Sequence, residues 1–329
     1  MNQASAPAAA GKLSLALPPV ERPKVGSIVK IAGKVSIDDL PRICPLVGRR
    51  TNPLYGTDRR HVVEVGGARF GAGLAVVIAG PCAVESLEQT LELARIVKES
   101  GADMLRGGAF KPRTSPHDFQ GLGLEGLKIL RAAGDETGLP VVTEVIDVRL
   151  VETVARHADM LQIGSRSMQN YPLLVEAGRS GKPVLLKRGT AASLCEWLGA
   201  AEYIAKEGNL EIVLCERGIK AYPSGEYSRF SLDLNVIPAV HEHTFLPVIV
   251  DPSHATGVSS MVELASRGAM EFGGDGLILE IANDCSNGPR PRCDADQAID
   301  PPTLRRIVDF VRTREGLAPG RVNVAASAQ

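Results

Sequence analysis

The strongest constraint on the fold is a repeating pattern that fills the chain from residue 76 to its last apolar helix signal. Short apolar runs rich in β-branched residues alternate with longer stretches whose apolar residues have helical spacing. The runs number eight, and they cover residues 76–79, 104–106, 141–144, 160–163, 183–186, 212–215, 247–250 and 276–279. This alternation of strand and helix signals indicates an α/β protein.

The stretches between the runs carry start and stop signals for helices. Ser86, with Gln89 three residues later, forms a capping-box pattern, and Gly101 ends the apolar stripe that follows. Comparable patterns cover residues 147–157, 193–206, 258–272 and 302–314. Eight strand–helix units in about 240 residues predict a (β/α)8 TIM barrel. A doubly wound open sheet is the alternative, but it usually has a glycine-rich loop after the first strand, and none is present there.

The segments outside the repeat predict four regions. Residues 1–24 are rich in Ala, Pro and Ser without periodicity, which predicts a mobile tail. Residues 25–73 form an N-terminal extension with a strand at 27–31, a short helix at 37–46 and a hairpin around Gly66 and Gly67. The catalytic barrel is expected over residues 74–316, followed by a C-terminal tail over 317–329.

Composition excludes several classes of partner. The 37 basic and 38 acidic residues leave a net charge of −1, so no global field favours nucleic acid or a membrane surface. No apolar run is long enough to span a bilayer, and the short N-terminal run 13–17 ends at two prolines, unlike a secretory signal. The six cysteines are spread singly, which suits a reducing compartment. The expected location is the cytoplasm.

The ends of the predicted strands concentrate positive charge. In a barrel of this kind the active site lies at the C-terminal ends of the strands. Seven cationic side chains follow the runs, and they are Arg106, Lys111, Arg113, Arg166, Lys187, Arg188 and Arg217. A basic surface turn at 105–115, or a structural network with Glu85, Glu144, Glu216 and Asp251, is the alternative. Like charges at four strand ends nevertheless favour bound polyanions, since buried cations repel one another.

A second group of residues predicts a metal site. Cys82, His254 and Glu280 follow the first, seventh and eighth runs, which become neighbours when a barrel closes, and Asp294 in the next loop can complete four ligands. One thiolate, one imidazole and two carboxylates suit a divalent transition metal without choosing between manganese, iron, cobalt and zinc. Each residue alone has a simpler explanation, since a single cysteine near a strand commonly belongs to the core and a single glutamate is commonly solvated.

The blocks at the strand ends resemble the signature of a known family. They are Gly80-Pro81-Cys82, Leu105 to Ser115, Asp118 to Gly121, Gln162 to Arg166, Leu186 to Gly189, Cys215 to Gly218 and Asp251 to His254. In this order they resemble 3-deoxy-D-arabino-heptulosonate 7-phosphate (DAHP) synthase, in its short microbial form related to KDO8P synthase. The likeness covers roughly residues 74–314. The Lys-Pro-Arg-Thr block at 111–114 is typical of the DAHP branch, since the KDO8P branch usually has Ala-Asn-Arg-Ser.

The resemblance implies a reaction and assigns residues to it. The reaction is the metal-dependent condensation of phosphoenolpyruvate with erythrose 4-phosphate and water, giving DAHP and phosphate, as the first step of the shikimate pathway. The implied phosphoenolpyruvate ligands are Arg106, Lys111, Ser165, Arg166, Lys187 and Arg217. The implied erythrose 4-phosphate ligands are Lys111, Pro112, Arg113, Thr114, Ser115 and Asp294. The residues expected to take part in catalysis are Lys111, Lys187, Cys82 and His254, and those expected to bind the metal are Cys82, His254, Glu280 and Asp294.

Further expectations follow from the resemblance and from three departures. A homo-oligomer, by analogy a tetramer, is implied, and the hairpin is expected to close the N-terminal end of the barrel. The sequence has Val258, Ala282 and Ala295 where the family usually has basic residues, His and Gly, which puts the acceptor aldehyde in question. A synthase for another aldose phosphate and a catalytically silent phosphate-binding paralogue therefore remain alternatives. Residues 1–60 match neither common fused regulatory domain.

Overall fold

The computed structural model describes residues 37–56, 60–220, 229–283, 292–293 and 295–313. The predicted tails at 1–24 and 317–329 and the predicted strand at 27–31 lie outside these residues. Asp294, one of the predicted metal and erythrose 4-phosphate ligands, also lies outside them.

The eight apolar runs form a closed parallel barrel, as the sequence predicts. Each strand hydrogen-bonds to the next, and the last pairs with the first in register from Gly276 opposite Val76 to Glu280 opposite Gly80. The barrel strands are β3 (Val76–Gly80), β4 (Met104–Arg106), β5 (Val141–Glu144), β6 (Met160–Ile163), β7 (Val184–Lys187), β8 (Ile212–Glu216), β9 (Val248–Val250) and β10 (Gly276–Glu280). All of their residues except the half-buried Glu144 are buried.

Helices follow the strands of the barrel. They are α1 (Leu40–Ile43), α2 (Leu87–Glu99), α3 (Leu124–Thr137), α4 (Val151–His157), α5 (Tyr171–Arg179), α6 (Leu194–Ala205), α7 (Val236–His243), α8 (Pro252–Thr256), α9 (Ser259–Glu271) and α10 (Pro301–Thr313). Five of them, namely α2, α4, α6, α9 and α10, lie where the sequence predicts helices. Ser86 caps α2 by accepting a hydrogen bond from the Gln89 amide, at 3.1 Å. The Gln89 side chain accepts from the Glu85 amide rather than from Ser86, so that capping box is incomplete. The predicted helix at 37–46 is shorter, with a 3-10 turn before α1.

The hairpin around Gly66 and Gly67 closes the N-terminal end of the barrel, as predicted. Its strands, β1 (Val63–Val65) and β2 (Ala68–Phe70), pair antiparallel and point alternate side chains into the barrel. These side chains pack with a layer of inward-facing strand residues that includes Val76, Met104 and Ile278. The hairpin therefore supplies the floor of the inner core and leaves the opposite end of the barrel for the site.

The N-terminal extension is attached to the barrel through a helix. The Glu202 carboxylate on α6 accepts hydrogen bonds from the backbone amides of Leu46 and Val47 at 3.0–3.1 Å. Leu40 and Cys44 are buried in the layer between the barrel and its helices. Within the part of the chain that the structure describes, no helix is long and apolar enough to cross a membrane.

Candidate active site

A cavity opens at the C-terminal ends of the strands. Its volume is about 340 Å³, which lies within the range of sites for small molecules. Seven Lys and Arg side chains line it against two carboxylates. The cations are Arg106, Lys111, Arg113, Arg166, Lys187, Arg217 and Arg229, and the carboxylates are Asp118 and Glu144. Such an excess of positive charge is an electrostatic trap for multiply charged anions.

Most of the residues predicted from the sequence line this cavity. Those that do are Arg106, Lys111, Pro112, Arg113, Thr114, Ser165, Arg166, Lys187, Arg217 and His254. Ser115 does not line it, and its hydroxyl instead accepts a hydrogen bond from the His117 amide at 3.2 Å. Cys82 and Glu280 are buried and do not contribute to the lining.

Glu280, at the end of β10, is fully buried among cations. Arg106, at the end of β4, donates a short hydrogen bond to this carboxylate, and His254 Nε2 lies 3.2 Å from its Oε1. Burial alone would raise the pKa of Glu280, but the charges of His254, Arg106 and Lys111 outweigh burial and lower it below its usual range. The carboxylate is therefore ionised at neutral pH.

A second buried carboxylate joins His254 to Lys187. The Asp251 side chain caps α8 by accepting from the His254 amide at 3.0 Å, which fixes the start of that helix after β9. Its Oδ2 lies 2.7 Å from His254 Nδ1 and accepts from Lys187 Nζ at 2.5 Å. Burial would raise the pKa of Asp251, but His254 and Lys187 hold it well below its usual range. The Lys187 ammonium is thus fixed at the wall of the cavity.

Cys82 and Cys293 form a thiol pair beneath the loop that follows β4. The two sulfur atoms are 3.1 Å apart, and Lys111 Nζ lies 3.1 Å from Cys82 Sγ and 3.0 Å from the Cys82 carbonyl. Arg113 Nη1 donates to Cys293 Sγ at 2.7 Å, and its Nε lies 3.5 Å from the Asp118 carboxylate. The contact with Cys293 and burial raise the pKa of the Cys82 thiol. Both cations of the predicted Lys-Pro-Arg-Thr block therefore contact a cysteine sulfur.

The donor types here fit a divalent transition metal. His254 lies between two carboxylates, with Nδ1 close to Asp251 and Nε2 close to Glu280. Metal-binding imidazoles commonly have a carboxylate next to the nitrogen that does not bind the metal. Cys82 adds a buried thiol two residues after Gly80, which pairs with Glu280 across β3 and β10. Among the described residues no three His, Cys, Asp or Glu side chains are grouped closely enough to hold an ion, and the fourth predicted ligand, Asp294, is not among them.

One strand-end cation belongs to a structural network. Arg188 is buried, donates to Glu216 at 3.0 Å and to Asp233 at 2.8 Å, and lies over the Trp197 ring. Its position directly after Lys187 turns it to the outer side of β7, since neighbouring residues of a strand point to opposite faces. The alternative that strand-end cations form a structural ion-pair network is therefore correct for Arg188. The other six predicted cations line the cavity.

Several lining residues were not singled out as site residues from the sequence. They are Asp118, Glu144, Gln162, Thr190, Arg229 and Phe230. Glu144 ends β5 and receives a hydrogen bond from Gln162 at 3.2 Å, so both follow from the rule that strand ends form the site. Arg229 and Phe230 lie far beyond the end of β8, and no strand or helix signal in the sequence marks them.

Comparisons of the sequence with known proteins identify its family. Residues 58–314 match the family model of the DAHP synthetase I family. The phospho-2-dehydro-3-deoxyheptonate aldolase of Thermotoga maritima is 43% identical over 254 residues, covering 76% of this chain and 73% of that protein. The 2-dehydro-3-deoxyphosphooctonate aldolase of Syntrophotalea carbinolica is 32% identical over 277 residues, covering 78% of this chain and 97% of that protein.

Comparisons of the structure lead to the same group. The crystal structure of the Thermotoga maritima phospho-2-dehydro-3-deoxyheptonate aldolase (DAHP synthase) has a TM-score of 0.75 and 41% identity, covering 82% of this chain and 76% of that one. A truncated form of the 3-deoxy-D-arabino-heptulosonate 7-phosphate synthase from the same organism has a TM-score of 0.73 and 37% identity, covering 82% and 96%. By its sequence match, its barrel and its strand-end residues, the chain belongs to the DAHP synthetase I family.

Proposed function

We propose that this enzyme condenses phosphoenolpyruvate with erythrose 4-phosphate and water, forming DAHP and inorganic phosphate. The observation that carries the proposal is the cavity at the strand ends, where seven Lys and Arg side chains face two carboxylates. Two phosphorylated substrates bring enough negative charge to compensate these cations. The carboxylates of Glu280, Asp251 and Asp118 already contact Arg106, Lys187 and Arg113, and the two substrates would compensate the cations that remain.

Phosphoenolpyruvate binds on the strand-end cations, with Arg106, Lys111, Arg166, Lys187 and Arg217 as its charged ligands. Lys187 is fixed by Asp251, and Arg166 is fixed by its 2.6 Å hydrogen bond to the Pro112 carbonyl. Ser165 assists through its backbone amide, because its hydroxyl already donates to the Arg188 carbonyl at 2.6 Å. Side chains that are held before the substrate arrives orient it without further loss of entropy.

Erythrose 4-phosphate binds against the loop after β4. Arg113 and the Thr114 hydroxyl receive its phosphate, and Lys111 lies between the two substrates. Pro112 orients the loop through its carbonyl, and Ser115 supports the loop through its contact with His117. The methylene carbon C3 of phosphoenolpyruvate then attacks the aldehyde carbon, whose oxygen takes a proton. Water adds to C2, the carbon that carries the phosphate ester, and gives up that proton. The resulting hemiketal phosphate loses inorganic phosphate by cleavage of its C2–O bond, which leaves the ketone of DAHP. Arg106, Lys187 and Arg217 stabilise the charge on the departing phosphate.

A divalent transition metal completes the proposed site. Cys82, His254, Glu280 and Asp294 would hold it, and when bound it supplies a Lewis acid for the aldehyde oxygen. Asp251 keeps His254 oriented for this task through the contact at Nδ1. Lys111 and Lys187 remain the candidates for proton transfer or for stabilising phosphate. The cytoplasmic location, the tetramer and the place at the start of the shikimate pathway stay predictions.

The test of the proposed reaction follows the loss of phosphoenolpyruvate absorbance with three acceptors. Erythrose 4-phosphate, arabinose 5-phosphate and ribose 5-phosphate are supplied separately, and we expect consumption with erythrose 4-phosphate at the highest kcat/KM. A higher kcat/KM with arabinose 5-phosphate would identify a KDO8P-like synthase, the alternative raised by the 32% identical relative. Failure to consume phosphoenolpyruvate with all three acceptors, after addition of each candidate metal, would leave the catalytically silent paralogue.

The metal proposal is tested by metal content as well as by rate. Treatment with a chelator should abolish turnover, and return of a divalent transition metal should restore it. Cys82→Ala should lose the bound metal in elemental analysis while circular dichroism stays unchanged. Cys195→Ala is the matched control, since Cys195 is a partly exposed thiol on α6. Turnover that survives chelation, or full metal content in Cys82→Ala, would contradict the metal assignment alone.

A further inference from the structure

One wall of the cavity is built by two residues of the long connection between β8 and α7. Arg229 and Phe230 both line the cavity. The Arg229 amide donates to the Thr256 carbonyl at 3.2 Å, and the Phe230 amide donates to the Ala255 carbonyl at 2.9 Å. These bonds attach the two residues to the end of α8, the short helix that carries His254. The wall is therefore held in place beside the predicted metal ligands.

Two glycines lie against this wall, and the wall fits only because they have no side chain. Gly218 and Gly257 both adopt left-handed backbone angles, with φ of 92° and 69°. A Cβ at Gly218 would lie 2.6 Å from the Phe230 Cβ, and a Cβ at Gly257 would lie 2.8 Å from the Arg229 Cβ. Any other residue at either position would push the wall away from its present place.

Arg217 and Arg229 share the Phe230 ring. The Arg217 guanidinium lies 4.3 Å from the ring centroid, and the Arg229 guanidinium lies 5.8 Å from it. Arg217 is only 7% exposed, and its Nη1 is buried without a hydrogen-bond partner among the described residues. Burial and the nearby Arg229 charge both lower the pKa of Arg217. A buried N–H group without an acceptor can donate to the oxygen of a bound anion, and the second guanidinium beside it adds further donors and positive charge.

The far side of Arg229 is fixed by an amide. Its Nη1 donates to Gln297 Oε1 at 3.3 Å, and Gln297 Nε2 donates a short hydrogen bond to the Glu280 carboxylate. Gln297 is buried, and these two hydrogen bonds fix the oxygen and the nitrogen of its side-chain amide. Arg229 therefore reaches the cavity from a defined position, although its own side chain is exposed.

We propose that Arg229 is a further substrate-binding residue, which together with Arg217 holds the phosphate group of phosphoenolpyruvate across the Phe230 edge. The inference rests on the proposed function. Two guanidinium forks match the several oxygens of a phosphate dianion. The phosphate of erythrose 4-phosphate binds elsewhere, because Arg113 follows β4, which lies four strands from β8 in a ring of eight and so on its opposite side.

The test compares Arg229→Gln and Arg229→Lys with the wild-type holoenzyme. We expect Arg229→Gln to raise KM for phosphoenolpyruvate at least about tenfold, since a hydrogen bond to a charged group is lost, with KM for erythrose 4-phosphate unchanged. Arg229→Lys keeps the positive charge but loses the paired guanidinium donors, so it should raise KM for phosphoenolpyruvate less than Arg229→Gln does. Calorimetric titration with inorganic phosphate, without either substrate, should show the same order of affinities.

The matched control is Arg267→Gln. Arg267 also lies over a phenylalanine ring, 4.4 Å from the centroid of Phe310, but it is on α9 outside the cavity. Both KM values should stay at the wild-type level in this variant. An unchanged KM for phosphoenolpyruvate in Arg229→Gln, or a rise confined to erythrose 4-phosphate, would overturn the inference. A wild-type enzyme that consumes no phosphoenolpyruvate would instead contradict the proposed function, and the phosphate titration would still test the paired arginines.

Discussion

At the scale of residues, the site is organised by alternating buried charges. Arg106 contacts Glu280, Glu280 contacts His254, His254 contacts Asp251, and Asp251 contacts Lys187. Each carboxylate thus has an Arg or Lys side chain on one side and the His254 ring on the other, and such pairing is how buried carboxylates are tolerated in a protein interior. The two carboxylates hold the cations in place while the cations' remaining N–H groups face the cavity. Fixed donors of this kind favour a substrate whose charge is carried on phosphate and carboxylate oxygens.

Asp118 provides a prediction at this scale. Its carboxylate lies 3.5 Å from Arg113 Nε and lines the cavity, so it competes with a substrate phosphate for that guanidinium. We expect Asp118→Asn to lower KM for erythrose 4-phosphate about threefold, the size of effect typical of a half-exposed ion pair. KM for phosphoenolpyruvate should not change. Steady-state kinetics with each substrate varied in turn measure both values.

The control for this prediction is Asp135→Asn. Asp135 pairs with Arg131 at 2.9 Å on the outer surface of α3, so its removal should leave both KM values unchanged. A rise in KM for erythrose 4-phosphate in Asp118→Asn would show that the carboxylate binds the sugar instead of competing with it.

At the scale of elements, the features that could be predicted are those that depend on neighbouring residues in the sequence, namely the strands and the helix caps. The eight strands begin within a residue of the predicted runs, and the caps at Ser86 and Ser193 follow from residue types at fixed spacing. The strand-end rule then located Arg106, Lys187 and Arg217. It did not locate Arg229 and Phe230, because their place depends on hydrogen bonds to α8 across the fold. Nor did it separate Arg188 from Lys187, since the direction of a side chain depends on strand register.

Gly80 provides a prediction at this scale. It ends β3 with φ of 156°, and a Cβ there would lie 2.0 Å from the Arg106 carbonyl oxygen on the neighbouring strand. We expect Gly80→Ala to lower the free energy of unfolding by more than about 3 kcal/mol, because two strands must separate or strain. Urea unfolding followed by circular dichroism measures the loss.

The matched substitution is Gly199→Ala. Gly199 lies within α6, and a Cβ there would meet nothing within 4 Å, so alanine should stabilise the protein by up to about 1 kcal/mol through helix propensity. Equal effects of the two substitutions would contradict the steric explanation for Gly80.

At the scale of the whole molecule, the two ends of the barrel separate stability from chemistry. The C-terminal end holds the cavity, whereas the N-terminal end is closed by the hairpin and by a buried ion cluster around Asp275. Arg60 donates a short hydrogen bond to Asp275, and it also donates to His241 Nδ1 at 2.9 Å. Because arginine can only donate, His241 Nε2 carries the proton and donates to Asp275 at 3.1 Å. Removing this cluster should affect stability without touching the site.

The pH dependence of stability tests that separation. Burial alone would raise the pKa of Asp275. The hydrogen bond from His241 and the charge of Arg60 outweigh burial, and the pKa lies below its usual value. A lowered folded-state pKa stabilises the fold above the unfolded value of about 3.9, and this contribution is lost as the pH falls through the folded value. Asp275→Asn should therefore cost about 3 kcal/mol at pH 7, a deficit that shrinks below about pH 4.

Urea unfolding of the wild type and the variant across this pH range measures the difference, in which the titration of other carboxylates cancels. Asp309→Asn, at an exposed position of α10, should show no pH-dependent deficit. The kcat/KM of Asp275→Asn at pH 7 should equal that of the wild type, since Asp275 precedes β10 at the end of the barrel away from the cavity. A deficit that stays constant with pH would assign the effect to packing, and a loss of kcat/KM would show that the two ends of the barrel are coupled.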